Sequence, residues 1–174
     1  MARLKLLEKD EVDPIAKEIY TKAEASSGRV LNLFKVLAHS PKLVRDWSRM
    51  GTTLLYKGTL AADMRELAIL RVGELANSAY ELAAHRRIGL STGLTQAQID
   101  EIATWQESTN FDARERAVLK YTDEIAQDIR ASEATFAALQ GHFNSRDIVE
   151  LTVSIGYYGM VARTLESLDV DPES

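Results

Sequence analysis

Apolar residues recur at three- and four-residue steps along almost the whole chain, the spacing that gathers them on one face of a helix. No stretch alternates strictly between apolar and polar, and no Asn-Gly or Asp-Gly pair marks a hairpin, so the pattern predicts an all-α fold of about seven to nine helices. Asp13-Pro14 opens the first, a capping residue followed by Pro at the first helical position. Val12, Ile15, Ile19 and Ala23 share its face and Gly28 stops it, and a short apolar segment runs from Val30 to Leu37. Ser40-Pro41 repeats the start signal, Leu43, Val44, Trp47, Met50, Leu54 and Leu55 form the stripe, and Gly58 closes it.

Residues 60 to 76 differ in kind. Leu60, Met64, Leu67, Ala68, Ile69, Leu70, Val72 and Leu75 leave little polar surface, the mark of a helix buried on all sides. Glu66 and Arg71 sit inside it. A further helix is expected from about 78 to 91, ending near Gly93. Thr95-Gln96-Ala97-Gln98 reads as a capping box for a short helix reaching Trp105. Asp112 starts a long helix with Ala117, Val118, Tyr121, Ile125 and Ile129 on one face, and Ser132 caps a short one to Gln140. Asn144 or Ser145 caps the last, to about Leu168, with Leu151 to Tyr158 buried. The acidic tail from Asp169 to Ser174 is expected to fray. The layout is one domain over 1–174: N-terminal helices 1–59, a core of 60–105 and C-terminal helices 111–168.

Composition narrows the possible chemistry. The 174 residues are 45% apolar and 27% charged, ordinary for a packed domain. With 21 Lys and Arg against 26 Asp and Glu, the net charge of −5 argues against a nucleic-acid partner. There is no Cys, which removes disulfides, thiolate metal sites and thiol redox cycles together. With only three His, a metal site is not expected. Charges interrupt the apolar residues after Met1, and no run is long enough to span a bilayer, so a cytoplasmic location without membrane contact is the expectation.

The residues that can carry chemistry cluster between Glu66 and His85. Glu81 and His85 are four apart and share a helix face. A carboxylate beside an imidazole holds one tautomer and tunes the ring toward neutrality, which makes His85 a general acid or base. Glu66, inside an apolar helix, needs a partner, and His85 and Arg71 are the candidates. A second reading of the same residues stays open. Ser78-Ala79-Tyr80-Glu81 also fits a capping box in which Glu81 bonds back to the amide of Ser78. His85 would then be a packed structural residue. His39 and His142, beside Ser40-Pro41 and Gly141, read as structural.

Three segments resemble the core of the carboxymuconolactone decarboxylase family, which includes the AhpD-type alkylhydroperoxidases. They are Arg65-Glu66-Leu67-Ala68-Ile69-Leu70-Arg71-Val72, Tyr80-Glu81-Leu82-Ala83-Ala84-His85, and Gly93-Leu94-Thr95 with Ile99. The resemblance implies an AhpD-like helical bundle and a homo-oligomer, commonly a trimer or hexamer. It matches Glu66 to the family Glu, His85 to the family His, and Ser78 and Glu81 to the two Cys positions of the peroxidase branch. A chain without Cys cannot run that branch's cycle. The Tyr-Glu-x3-His form resembles the decarboxylase branch instead. The resemblance thus implies a cofactor-independent lyase acting on a small anionic lactone or enol-type acid in aromatic-compound degradation. His85 would be the proton donor, Glu81 its orienting partner and Glu66 its support. Arg71, Arg86 or Arg163 would meet the substrate's charge, with Ser78 and Tyr80 completing the binding set. A non-catalytic oligomer that binds a small molecule or a partner is the alternative.

Overall fold

The computed structural model describes residues 2–173, so Met1 and the last residue of the acidic tail, Ser174, lie outside the described residues. Among the described residues the chain forms nine α-helices, one 3-10 turn and no strand, as the periodicity predicts. The helices are α1 (Pro14–Ser27), α2 (Asn32–Leu37), α3 (Pro41–Tyr56), α4 (Ala62–Leu75), α5 (Ala79–Thr92), α6 (Gln96–Asp100), α7 (Ala113–Asp128), α8 (Glu133–Gln140) and α9 (Ser145–Leu168), with the 3-10 turn at Ile102–Thr104. No described helix is long and apolar enough to cross a membrane. The chain divides into two compact units, Met1–Lys57 with Thr164–Ser174, and Gly58–Arg163.

In the first unit Asp13 accepts from the Ile15 amide and Gly28 ends α1 in the left-handed region, so both punctuation marks act as expected. Ile19, Leu33, Val36, Val44, Trp47 and Leu54 are buried, whereas Leu43 and Met50 of the predicted stripe stay about half exposed. The tail does not fray at once. Asn32 donates its amide to Glu173 at 2.6 Å and its side chain to the Asp171 carbonyl, and Val170 is buried.

The second unit is built around α4. Every residue from Met64 to Gly73 is buried, including Arg65, Glu66 and Arg71, which confirms a helix packed on all sides. Two glycines let α5 lie close on α4. A Cβ on Gly89 would meet the Leu70 side chain at 3.3 Å, and one on Gly73 would meet Leu82 at 3.3 Å and the Glu81 Cβ at 3.4 Å. Glu150 of α9 accepts from the amides of Thr59 and Leu60 and so fixes the entry to α4. Tyr121 and Thr152 tie α7 to α9 by a 2.8 Å hydroxyl contact. Ile129 departs from its predicted face: α7 ends one residue earlier, and Ile129 takes a left-handed conformation with 88% of its surface exposed. The helix expected to reach Trp105 is also broken, into α6 and the 3-10 turn.

Candidate active site

The close packing of α5 on α4 brings Glu66 and His85 together from 19 residues apart. His85 Nδ1 lies 2.6 Å from Glu66 Oε2, and Glu66 is fully buried. A carboxylate at that distance accepts a hydrogen bond from Nδ1–H and so fixes the tautomer, leaving Nε2 to face Glu81. There the gap to Glu81 Oε2 is 3.7 Å, too long for a hydrogen bond. Glu66 is therefore the orienting partner, and Glu81 is not, contrary to the roles the resemblance implied. The other Glu66 oxygen receives Arg65 Nε at 3.3 Å. The Tyr158 ring stands edge-on to His85, centroids 4.9 Å apart and planes at 85°, and Tyr157 packs on Tyr158 in the same manner.

The first turn of α5 carries unfilled polar groups. Glu81 Oε2 and Ser78 Oγ are buried without a hydrogen-bond partner. The expected capping box has not formed: Ser78 occupies the N-cap position, but its side chain accepts from no helix amide, and its own amide donates to the Gly73 carbonyl at 2.9 Å. Burial, with the nearby Glu66, pushes the Glu81 carboxyl up to about 7 even though His85 pulls it down. The Tyr158 phenol is raised well above its usual value by burial and by the same two carboxylates. Glu81 thus holds a proton through mildly acidic pH and can release it near neutrality.

The three predicted arginines lie apart from this arrangement. Arg71 is not the partner of Glu66. Its Nε meets Asp123 of α7 at 2.5 Å, and Nη1 donates to the carbonyls of Ile102 and Ala103. The far oxygen of Asp123 accepts from Trp105 Nε1 and Gln106 Nε2, so both carboxylate oxygens and two of the three Arg71 nitrogens are engaged within the protein. Arg86 is half exposed, 3.7 Å from Glu74. Arg163 donates to the Gly159 carbonyl one turn back. Tyr80 is buried on the first turn of α5, and His39 contacts the Lys5 carbonyl at 2.9 Å. Sequence reasoning missed Arg65 and Tyr158 as members of the site. Arg65 precedes Glu66 directly and was visible as a charge inside a buried helix, whereas nothing local marks Tyr158. Among the described residues no group of three or more His, Cys, Asp or Glu is placed to hold a metal ion.

Comparison with known proteins agrees with this geometry at the level of family and fold. The model of the Carboxymuconolactone decarboxylase family matches residues 41–124, a span that includes Glu66, Ser78, Glu81 and His85. The chain is similar to that family over this central segment. Its fold is similar to that of the alkylhydroperoxidase AhpD core protein, an uncharacterized peroxidase-related protein from Ralstonia eutropha JMP134, with a TM-score of 0.88 at 21% identity over 99% of this chain and 93% of that one. An uncharacterized peroxidase-related protein from Silicibacter sp. TM1040 aligns at 20% identity over 99% and 92% of the two chains, TM-score 0.84. The debrominase Bmp8, in complex with 2,3,4-tribromopyrrole, aligns at 15% identity over 100% and 95%, TM-score 0.83. No curated protein matches the sequence significantly.

Proposed function

We propose that the chain is a cofactor-independent acid–base catalyst that moves a proton on a small lactone or enol-type substrate, as a lyase or an isomerase. The observation that carries this reading is the buried line Glu66, His85, Glu81. One end is fixed by the 2.6 Å contact to Nδ1, and the other end is a carboxyl whose Oε2 has no hydrogen-bond partner and whose pKa lies at about 7. A general acid–base group works best when it titrates near the working pH, and Glu81 does. In a lyase cycle the bond to the departing carbon dioxide breaks, its electron pair stays on the conjugated framework, and the Glu81 proton forms the new C–H bond. In an isomerase cycle a C–H proton moves to the acid–base pair and returns at another carbon. In both, the 3.7 Å gap from His85 Nε2 to Glu81 shortens to a hydrogen bond in the substrate complex, through which His85 re-protonates or deprotonates Glu81, and Glu66 supports the imidazole while it carries charge.

The peroxidase-related neighbours do not favour a thiol cycle for this chain, because its 174 residues contain no Cys. The test is deuterium incorporation from heavy water into a panel of lactones and enolisable carbonyl compounds, followed by NMR. The parent protein is expected to label at least one of them. His85→Gln keeps hydrogen-bonding capacity but carries no proton near neutrality, and it should lower the rate by about 10²–10⁴. A His85→Gln variant that labels at the parent rate would show that the constellation is a packed structural feature.

A further inference from the structure

The substrate's charge can be read from what the site leaves unfilled, and this inference rests on the reading that Glu81 and His85 form the reacting centre. We propose that the site takes a small neutral molecule presenting a carbonyl or enol oxygen, and disfavours carboxylates, because its unfilled polar atoms are Ser78 Oγ and Glu81 Oε2 while both buried guanidiniums of α4 are already paired with carboxylates.

Ser78 and Glu81 are 0% and 4% exposed, so no bulk water satisfies them. Leaving two such atoms unmade is costly unless a ligand completes them. They are three residues apart at the start of α5, where side chains one turn apart sit about 5–6 Å from each other at Cβ. One oxygen function of a small ring can address both. A protonated Glu81 donates to a carbonyl, and the Ser78 hydroxyl donates or accepts, so neither requires a charged ligand.

An incoming carboxylate would meet a different balance. Arg65 offsets Glu66, and Arg71 offsets Asp123. The groups that act on Glu81 are Glu66 from α4 and His85 from α5, and Tyr158 of α9 beside it is acted on by Glu81, Glu66, Tyr157 and Arg65. The N-terminal end of α5 draws negative charge. Burial outweighs that attraction, because the Glu81 carboxyl at that end titrates at about 7 and the Tyr158 phenol is also held up by Glu66 and Glu81. Two native acids thus report the field a substrate carboxylate would enter, and both favour the proton. A neutral substrate has no carboxylate to lose, so of the two reaction types the site suits isomerisation: one C–H bond breaks, the pair delocalises into the enol, and the proton returns to a different carbon.

The experiment compares the unsubstituted butenolide ring with its γ-carboxylate, each titrated into the full-length protein while the His85 ring signals are followed by NMR. At pH 8 the neutral ring should bind at least about tenfold more tightly. The carboxylate's affinity should rise about tenfold per unit as the pH falls toward 6, because it binds as the acid. Ser78→Ala and Glu81→Ala, with fold checked by circular dichroism, should each weaken the neutral ring several-fold at pH 6, where Glu81 holds its proton, while Arg86→Ala and Arg163→Ala should leave both affinities within about twofold. A carboxylate that binds as tightly as the neutral ring at pH 8, or that is selectively lost in Arg86→Ala or Arg163→Ala, overturns the charge assignment alone, since the His85 signals still report an occupied site. If neither probe moves the His85 signals at millimolar concentration, the acid–base reading of the site falls and takes this inference with it. Affinities for the neutral ring at pH 6 that are unchanged in both Ser78→Ala and Glu81→Ala overturn it as well.

Discussion

Helix α4 carries two buried arginine–carboxylate networks, and they are finished in different ways. Around Arg71, both Asp123 oxygens and the guanidinium Nε and Nη1 are engaged, with Trp105, Gln106 and two carbonyls of the 3-10 turn region as partners. Around Glu66, the carboxylate is satisfied by Arg65 and His85, but the neighbouring turn of α5 leaves Ser78 Oγ and Glu81 Oε2 unmade. Both networks are buried and both join elements distant in sequence. A buried polar network with every group answered specifies packing, whereas one left partly open holds free energy that a ligand can release. Openness, rather than the presence of charge, therefore marks the candidate site.

The sharpest way to break this contrast is to open the closed network. Asp123→Ala leaves the Arg71 guanidinium buried without its carboxylate and removes the acceptor for Trp105 and Gln106. The expected loss is about 3–5 kcal/mol in denaturant unfolding at pH 7. A loss near that of an ordinary surface substitution would mean that the Arg71 network is not what holds α4 to α7.

Most of the fold was legible in the residues, and part of the site was not, for one physical reason. Helix ends are written locally: Asp13, Thr95, Asp112 and Ser132 all cap as their neighbours suggest. Glu66 and His85 were also readable, because a charge inside an apolar helix demands a partner. The identity of that partner is set by tertiary approach. Asp123 lies 52 residues from Arg71, and no local spacing signals their pairing. Ser78 occupies the N-cap position without a side-chain cap bond, and its amide is taken by the Gly73 carbonyl at the end of α4.

A second test acts on the open network through pH. The folded-state pKa of Glu81 is raised from 4.5 to about 7, so between those values the folded protein binds a proton that the unfolded chain has released. Stability from this group is fully present below about 4.5 and is lost as pH rises through about 7. The shift corresponds to roughly 3 kcal/mol across that window. Glu81→Gln carries no titrating proton, so its stability should match the parent's near pH 4.5 and exceed it at pH 8, by up to about 3 kcal/mol. Chemical denaturation of both proteins across the range checks this. Parallel pH profiles would show that Glu81 is not held neutral by burial.

The smallest expected effect is the most informative about the open end. If Ser78 were a working N-cap, Ser78→Ala would cost about 1 kcal/mol. The structure removes that reason, because the hydroxyl accepts from no helix amide and the Ser78 amide is already bonded to Gly73. Alanine then deletes a buried hydroxyl that has no partner, and a slight gain in stability, up to about 1 kcal/mol, is expected in the ligand-free protein. The same substitution should remove part of the stabilisation that a bound neutral ring confers, since the hydroxyl is one of the two atoms such a ligand would satisfy. Melting curves of parent and variant, each with and without the butenolide, separate the two effects. A clear destabilisation of the free variant would restore the capping role. A gain in the free protein with loss of the ligand's effect is what an unfilled binding atom produces, and the closed Arg71 network has no position where a substitution could do the same.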